Sequence, residues 1–284
     1  MMKWLWTPVM VFLLLPGSGY GQERPLRTDD AELLDTGRVQ FGLGIELLQN
    51  QRYPLSGLRG NLTRIGVAGI RIGVGEYAEF QISGTIREEL SISERTEPVV
   101  APAFSGDSTS DFGNIIIGTK LKLAGETGIR PAMAFKFAAE LPNANQGSGL
   151  GNDETNFYSS LLFKKHFGGV QVLADIGFAI LGSPVTAGSQ TDPLTYGIAT
   201  ILPLRENLHL VVEVAGRHGP EGRVGNENRS RALAGVRFRT GPVRWDLAGI
   251  AGLTRFDPKS GVIVGATYEF QAFNRTGLPF TIKK

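Results

Sequence analysis

Three histidines, no cysteine, and 29 basic against 27 acidic side chains are the raw material for chemistry in this 284-residue chain. Covalent catalysis needs a Ser, Cys or Thr within reach of a base that a third group orients. His166 is followed by Phe-Gly, His209 by Leu-Val and His218 by Gly-Pro, so none starts a local nucleophile pair. Gly-x-Ser-x-Gly, His-Glu-x-x-His and phosphate-loop motifs are absent, and "GSGLG" at 147–151 lacks the strand–turn–helix of a dinucleotide fingerprint. No catalytic residue, no metal and no cofactor is therefore expected. What stands out is a set of charges at alternate positions of apolar runs: Glu46, Arg71, Glu79, Arg87, Lys120, Lys122, Lys136, Glu140, Asp175, Glu213, Arg231, Arg237, Arg239, Arg244, Asp246 and Glu269. Residues two apart share one side of an extended strand. Ions placed there either pair with one another or steer charged solutes.

The chain ends bear on where such strands would fold. Lys3, the apolar run Val9 to Leu15, the Pro16-Gly17 break and the small residues Gly19 and Gly21 predict a signal peptide over 1–21, cut before Gln22. No cysteine follows the run, which excludes a lipid anchor. No later window approaches the roughly eighteen consecutive apolar residues of a membrane helix. Without Lys3, the 29 basic residues become 28 against 27 acidic. A near-neutral chain of this kind excludes a nucleic-acid partner, which requires a basic excess. An exported chain without cysteines is held by something other than disulfides. Thirty-eight glycines, sixteen phenylalanines and a mean hydropathy near zero point to an all-β protein.

Strict alternation predicts strands at 38–48, 62–74, 77–92, 111–123, 131–141, 153–166, 169–181, 193–203, 207–217, 229–239, 243–254 and 261–271. Odd-numbered connections are mostly long (49–61, 93–110, 142–152, 182–192 and 218–228), with only "RFDPKS" short. The even ones are tight: "GEY", "GETGIRP", "FGG", "LRE" and "GPV". Alternating loop length is the mark of a transmembrane up-and-down antiparallel β-barrel of the outer-membrane type, with long loops outside and short turns in the periplasm. A soluble sandwich has no reason to produce it.

Aromatic residues fall on the parity opposite to the charges. Phe41, Phe80, Phe135, Phe163, Phe238, Trp245, Tyr268 and Phe270 lie towards the periplasmic rim, and Phe178 and Tyr196 towards the outer rim. Two girdles of rings are expected where a barrel meets both lipid–water boundaries. Asp175, in "GGVQVLADIGFAIL", then faces the water-filled interior while Val172 and Phe178 face lipid.

Mixed-sign interior charges allow two outcomes, a salt-bridged interior or a narrow path with a charge bias. A twelve-stranded barrel lies between the filled interior of eight strands and the open channel of sixteen. The path would be constricted by Lys120, Lys136, Arg237, Glu140 and Asp175, with loops 93–110 and 142–152 controlling access. Arg229, Arg231, Arg237, Arg239 and Arg244 form a basic ladder that favours anions unless Glu213, Asp246 and Glu269 neutralise it. Ahead of the barrel (38–284), the polar segment 22–37 is expected to start a short helix at Asp29. It would either plug the periplasmic mouth or hang free.

"RPLRTDDAELLDTGRVQFGLGIE" (24–46), "DFGNIIIGTKLKL" (111–123), "RPAMAFKFAAELP" (130–142) and "DETNFYSSLLFKKHFGGVQVLADIGFAIL" (153–181) resemble the outer-membrane transporter family labelled phenol meta-pathway degradation protein. After Pro142 this chain has Asn143-Ala144-Asn145 where that family has a Thr-Gly-Asp-like turn, and it carries Asn156, Phe157 and Tyr158 where small residues are commoner. The resemblance implies a barrel passing small, often aromatic, organic molecules, and supplies no catalytic residues. The combined expectation is a passive channel whose partners are outer-membrane lipid and a small organic solute. A non-conducting envelope barrel and a lipid-modifying barrel enzyme are the alternatives, and the latter requires a lipid-facing His with a nearby Ser.

Overall fold

The computed structural model describes residues 24–219 and 223–273. The expected signal peptide and residues 274–284 of the expected barrel lie outside them. The strands are β1 (Arg38–Tyr53), β2 (Leu58–Gly73), β3 (Ala78–Arg95), β4 (Ser108–Asp111), β5 (Ile115–Ala124), β6 (Ala132–Leu141), β7 (Asn156–Phe167), β8 (Val170–Gly182), β9 (Gln190–Thr191), β10 (Leu194–Arg205), β11 (Leu208–His218), β12 (Arg229–Thr240), β13 (Val243–Gly252) and β14 (Ser260–Gln271). β4 is a short addition to β3, and β9 to β8. The other twelve form one closed antiparallel barrel, in which β1 pairs with both β2 and β14, and β8 pairs with β10 across the gap left by β9. Closure leaves no strand edge with unpaired backbone groups, the condition hydrocarbon imposes.

Alternation then decides which side chains meet which medium. Along β1, Gln40, Glu46 and Leu48 are buried inside, while Phe41, Leu43, Ile45 and Leu47 are exposed outside. Along β13, Trp245 and Leu247 point out, and Asp246, Ala248 and Ile250 point in. Rings sort to the barrel ends as the sequence predicts. Phe238 stacks on Trp245 (6.3 Å) and Tyr268 on Phe270 (5.6 Å) at the short-turn end.

Connections between strands depart from expectation at one place. The first link is only 54–57, because β1 and β2 continue past the predicted loop. Asn50, at φ 56°, absorbs a register shift there, and Leu58 and Leu62 pack on Leu90 inside. Beyond the apolar belt a strand can be polar on both faces, so "QNQRY" reads as loop although it pairs.

A second irregularity changes the inside–outside assignment. Gly66 (φ +69°) and Ile86 stand opposite each other as an extra residue in β2 and β3, so alternation shifts by one in both strands together. Gly66 is required here, because a Cβ would come within 2.7 Å of the Ile86 side chain.

Lumen and belt make different demands on a substitution. Val264→Arg, on the outer face midway along β14, is expected to lower stability by about 2–4 kcal/mol. Val264→Leu should change it by under about 1.5 kcal/mol. Urea unfolding in lipid vesicles measures both.

Candidate functional site

The interior is organised around the segment ahead of β1. Residues 24–37 run inside the barrel, and Leu26, Thr28, Asp29, Asp30, Ala31 and Leu34 are buried there. The expected helix at Asp29 does not form. The Asp29 and Asp30 carboxylates accept from the backbone N–H groups of Asp30 and Glu32, and the N–H groups of Arg27, Thr28 and Leu34 donate to wall carboxylates instead of carbonyls one turn back. Gly37 turns the segment into β1 at φ +82°, where a Cβ would collide with the Phe273 carbonyl.

Two unlike walls hold the segment. On one side lies an apolar surface built from Leu173, Ala199, Ile201, Val211, Leu233, Ala248, Ile250 and Ile263, with Leu26 in the same cluster. The expected interior of mixed-sign charges thus has an apolar side as well. These residues have the inward parity, but nothing in a local window separates them from lipid-facing neighbours. The other wall, from β3 and β5 to β7, is ionic. Lys164 Nζ lies 2.8 Å from Asp30 and 2.7 Å from Glu32, and Lys136 Nζ lies 2.8 Å from Asp29. Lys120 Nζ donates to the backbone oxygens of Asp30 and Glu32 and stands 3.5 Å from Glu79. Arg71 Nε donates to Glu79 Oε1 (2.7 Å), and Glu79 Oε2 accepts from Leu34 N–H. Glu213 Oε1 accepts from the N–H groups of Arg27 and Thr28, and Arg24 Nε lies 3.7 Å from Asp246. Buried charges need partners of this kind, because an unpaired ion away from water is costly.

The sequence-predicted residues sort as follows. Glu46, Arg71, Glu79, Lys120, Lys122, Lys136, Glu140, Asp175, Glu213, Arg231, Arg237, Arg239, Arg244, Asp246 and Glu269 all have inward register. Lys122 and Arg239 are exposed at the short-turn mouth. Arg87 is corrected: it points outward opposite Ile65, its side chain 56% exposed and 3.6 Å from Glu89. The bulge at Gly66 and Ile86 causes this, and the inward residue is its neighbour Glu88, paired with Arg64 Nε at 2.8 Å. The five residues of the expected constriction do not form one ring. Lys120 and Lys136 bind the inner segment, Glu140 lines a chamber nearer the long loops, and Arg237 pairs in register with Asp246 on β13. Of the acids expected to neutralise the basic ladder, Glu213 and Asp246 meet the inner segment, and Glu269 accepts from Arg38 (2.6 Å).

Lys164, Arg64, Glu88, Arg24, Arg27, Asp29, Asp30 and Glu32 are charged interior positions that sequence reasoning did not select. Lys164 has the inward parity and was recoverable from it. Arg64 and Glu88 lie beyond the bulge, where simple parity fails. The predicted outward aromatics Phe41, Phe80, Phe135, Phe163, Phe178, Tyr196, Phe238, Trp245, Tyr268 and Phe270 all carry outward register. Of the histidines, His166 Nδ1 lies 2.6 Å from Glu126 Oε2 at a short turn, and His209 faces inward opposite Arg237.

Cavities open at both ends of the segment among the described residues. One of about 610 Å³ opens at the short-turn mouth beside Ala31–Thr36, Lys122 and Glu126. One of about 440 Å³ lies between Arg27 and the long loops. A slit of about 180 Å³ runs past Arg24–Arg27 along Gln40, Glu46 and Arg71 and shares Arg27, Val67, Ala68 and Ser83 with the upper chamber. Above the chamber, loops 96–107 and 142–155 interlock: Ala103 N–H donates to the Gly147 carbonyl, Ser56 Oγ to the Gly149 carbonyl, and Phe104 and Leu150 pack on the inner cluster.

This architecture is that of an outer-membrane β-barrel, all-β and twelve-stranded. It resembles the solved COG4313 outer membrane channel from Pseudomonas putida F1, with a TM-score of 0.58 at 13% identity over 85% of this chain and 98% of that one. The translocator domain of the autotransporter NalP from Neisseria meningitidis aligns with a TM-score of 0.48 at 13% identity, covering 82% of this chain and 88% of that one. No family model and no curated protein sequence matches the chain.

Ion pairing makes docking of the segment testable. Lys164→Met removes the ammonium that pairs with both Asp30 and Glu32 and is expected to cost about 3–5 kcal/mol in urea unfolding. Adding Asp30→Asn should recover part of the loss. Burial alone would raise the Asp29 carboxyl, but Lys136, Lys120 and Arg71 outweigh it and hold it well below the usual carboxylate range. A depressed carboxylate contributes its stability above its unfolded value, about 3.9. That contribution is lost only as pH falls through the lower folded value. Amide hydrogen exchange of residues 26–34 should therefore stay slow near about pH 4.

Proposed function

We propose that this protein sits in an outer membrane and passes small organic solutes, aromatic or anionic, by passive diffusion, with residues 24–37 as the plug that holds it closed. One observation carries the reading: an ordered segment divides a closed barrel into two charge-lined cavities, and a slit opens from the upper one along the segment. A barrel meant only as a wall needs no chamber on either side of its plug. Likeness in fold to the COG4313 outer membrane channel supports the reading, as does the sequence resemblance to transporters labelled phenol meta-pathway degradation proteins. The short-turn end faces the periplasm, and the interlocked loops 96–107 and 142–155 cover the outer mouth. Solutes enter the chamber when those loops part and leave when the plug detaches from Lys120, Lys136 and Lys164. The protein is non-enzymatic in this reading, which assigns the lumen charges to holding the plug and lining the chambers. The dense ion pairing also favours a second reading, a barrel sealed for stability.

Planar-bilayer recordings separate the two. Full-length protein should conduct weakly, and deletion of residues 24–34 should raise the conductance several-fold and speed the swelling of liposomes in aromatic acids. A deletion variant that folds yet conducts no better would establish the sealed barrel.

A further inference from the structure

Arginines crowd the upper chamber, and its carboxylates are already taken. Glu88 pairs with Arg64, which also reaches Glu46 at 3.3 Å. Glu140 accepts from Asn114 (2.8 Å), Asn156 (3.2 Å) and the Tyr158 hydroxyl (2.6 Å). Glu227 accepts from Gly225 N–H (2.7 Å) and lies 3.9 Å from Arg229. Among the described residues, two chamber arginines have no carboxylate within ion-pair distance. Arg217 donates Nε to the Glu227 carbonyl at 3.0 Å, and Arg27, held through its backbone N–H on Glu213, lines the chamber. Arg27 is exposed although it lies inside the barrel, and the spaces it lines are the chamber and the slit below it. Both arginines belong to the lining of the same chamber. The Tyr53 hydroxyl, also in the lining, is buried without a hydrogen-bond partner. Leu55, Val67, Ile116 and Leu150 give the lining an apolar part.

We propose that this chamber binds a small monocarboxylate with an apolar or aromatic body, its carboxylate between Arg27 and Arg217 and its body against Tyr53 and Leu150. This rests on the channel reading and names the class of solute it serves. A guanidinium fork matches a carboxylate edge to edge, and its charge-assisted bonds are the strong ones. Glu88, Glu140 and Glu227 nearby disfavour polyanions, so one negative charge suits the spot and several do not. A volume of about 440 Å³ lies within the range of roughly 300–1,000 Å³ typical of small-ligand sites. Because Arg27 belongs to the plug, an occupied site couples the solute to the element that must move.

Isothermal titration of the full-length protein in detergent micelles tests the site with benzoate, its neutral amide benzamide, and phthalate as the dianion. Benzoate should bind saturably, benzamide and phthalate much more weakly. Arg27→Gln and Arg217→Gln should each weaken benzoate roughly tenfold, the scale of one lost charge-assisted hydrogen bond. Arg205→Gln, outside the chamber, should leave binding unchanged. Unfolding midpoints matched to the parent show that the two variants keep their fold. Equal binding of benzoate and benzamide, or unaltered benzoate binding in both arginine variants, would overturn the proposal. Such a result alongside a conducting plug deletion rejects the carboxylate site alone. Arginine-dependent benzoate binding in a barrel whose plug deletion stays silent upholds the site and rejects the channel.

Discussion

Hydrocarbon offers no hydrogen-bond partner and no solvation for an ion, and every other feature of this barrel follows from that. Each backbone N–H and C=O within the belt must find its partner on a neighbouring strand, so the twelve long strands close on themselves. Each charge on those strands must point inward, at a cost of roughly 2–4 kcal/mol if it does not. The bulge at Gly66 and Ile86 fits this constraint. Because both strands shift together, Arg64 remains opposite Glu88 inside, and Arg87 emerges only near the long-loop end, beside Glu89.

Gathering the charges inside creates a second problem, which the N-terminal segment resolves. Lys120 and Lys164 are fully buried, and without partners they would strongly disfavour the folded state. Asp29, Asp30 and Glu32 supply the missing negative charge, and backbone oxygens of the same segment accept the remaining Lys120 protons. The wall carboxylates Glu79 and Glu213 take the segment's own N–H groups in return. Leu26 meanwhile covers part of the apolar wall formed by β8 and β10 to β14. A segment held by ions on one side and by apolar contact on the other is specified in both position and orientation, without any regular secondary structure of its own.

Dynamics and function meet at this segment. In the proposed channel, the ionic contacts of this segment have alternatives in solvent whereas the strand ladder within the belt has none, so the segment moves while the wall stays intact. Its position between two cavities then makes its docking equilibrium the control over passage, and Arg27 lines the upper chamber.

How much of this was legible beforehand depends on how far each feature reaches along the chain. The outward sense of the rings and the inward sense of Asp175, Lys136 or Asp246 follow from alternation, a local property of each strand, while strand number and closure were read from its twelvefold recurrence and from the alternating loop lengths. The departures came where local pattern and environment part. "QNQRY" lies beyond the belt, where water lifts the parity rule, and Arg87 lies past a bulge that takes one residue from each of two strands. Segment 24–37 has no periodicity, because its conformation is dictated by lysines and glutamates some 45 to 186 positions away. The sequence alone determined which faces meet lipid, since the solvent acts on each strand separately. Which charges pair, where the plug rests and what space it leaves were decided only by the closed tertiary structure, because each depends on opposite walls of a cylinder coming within a few ångströms of one another.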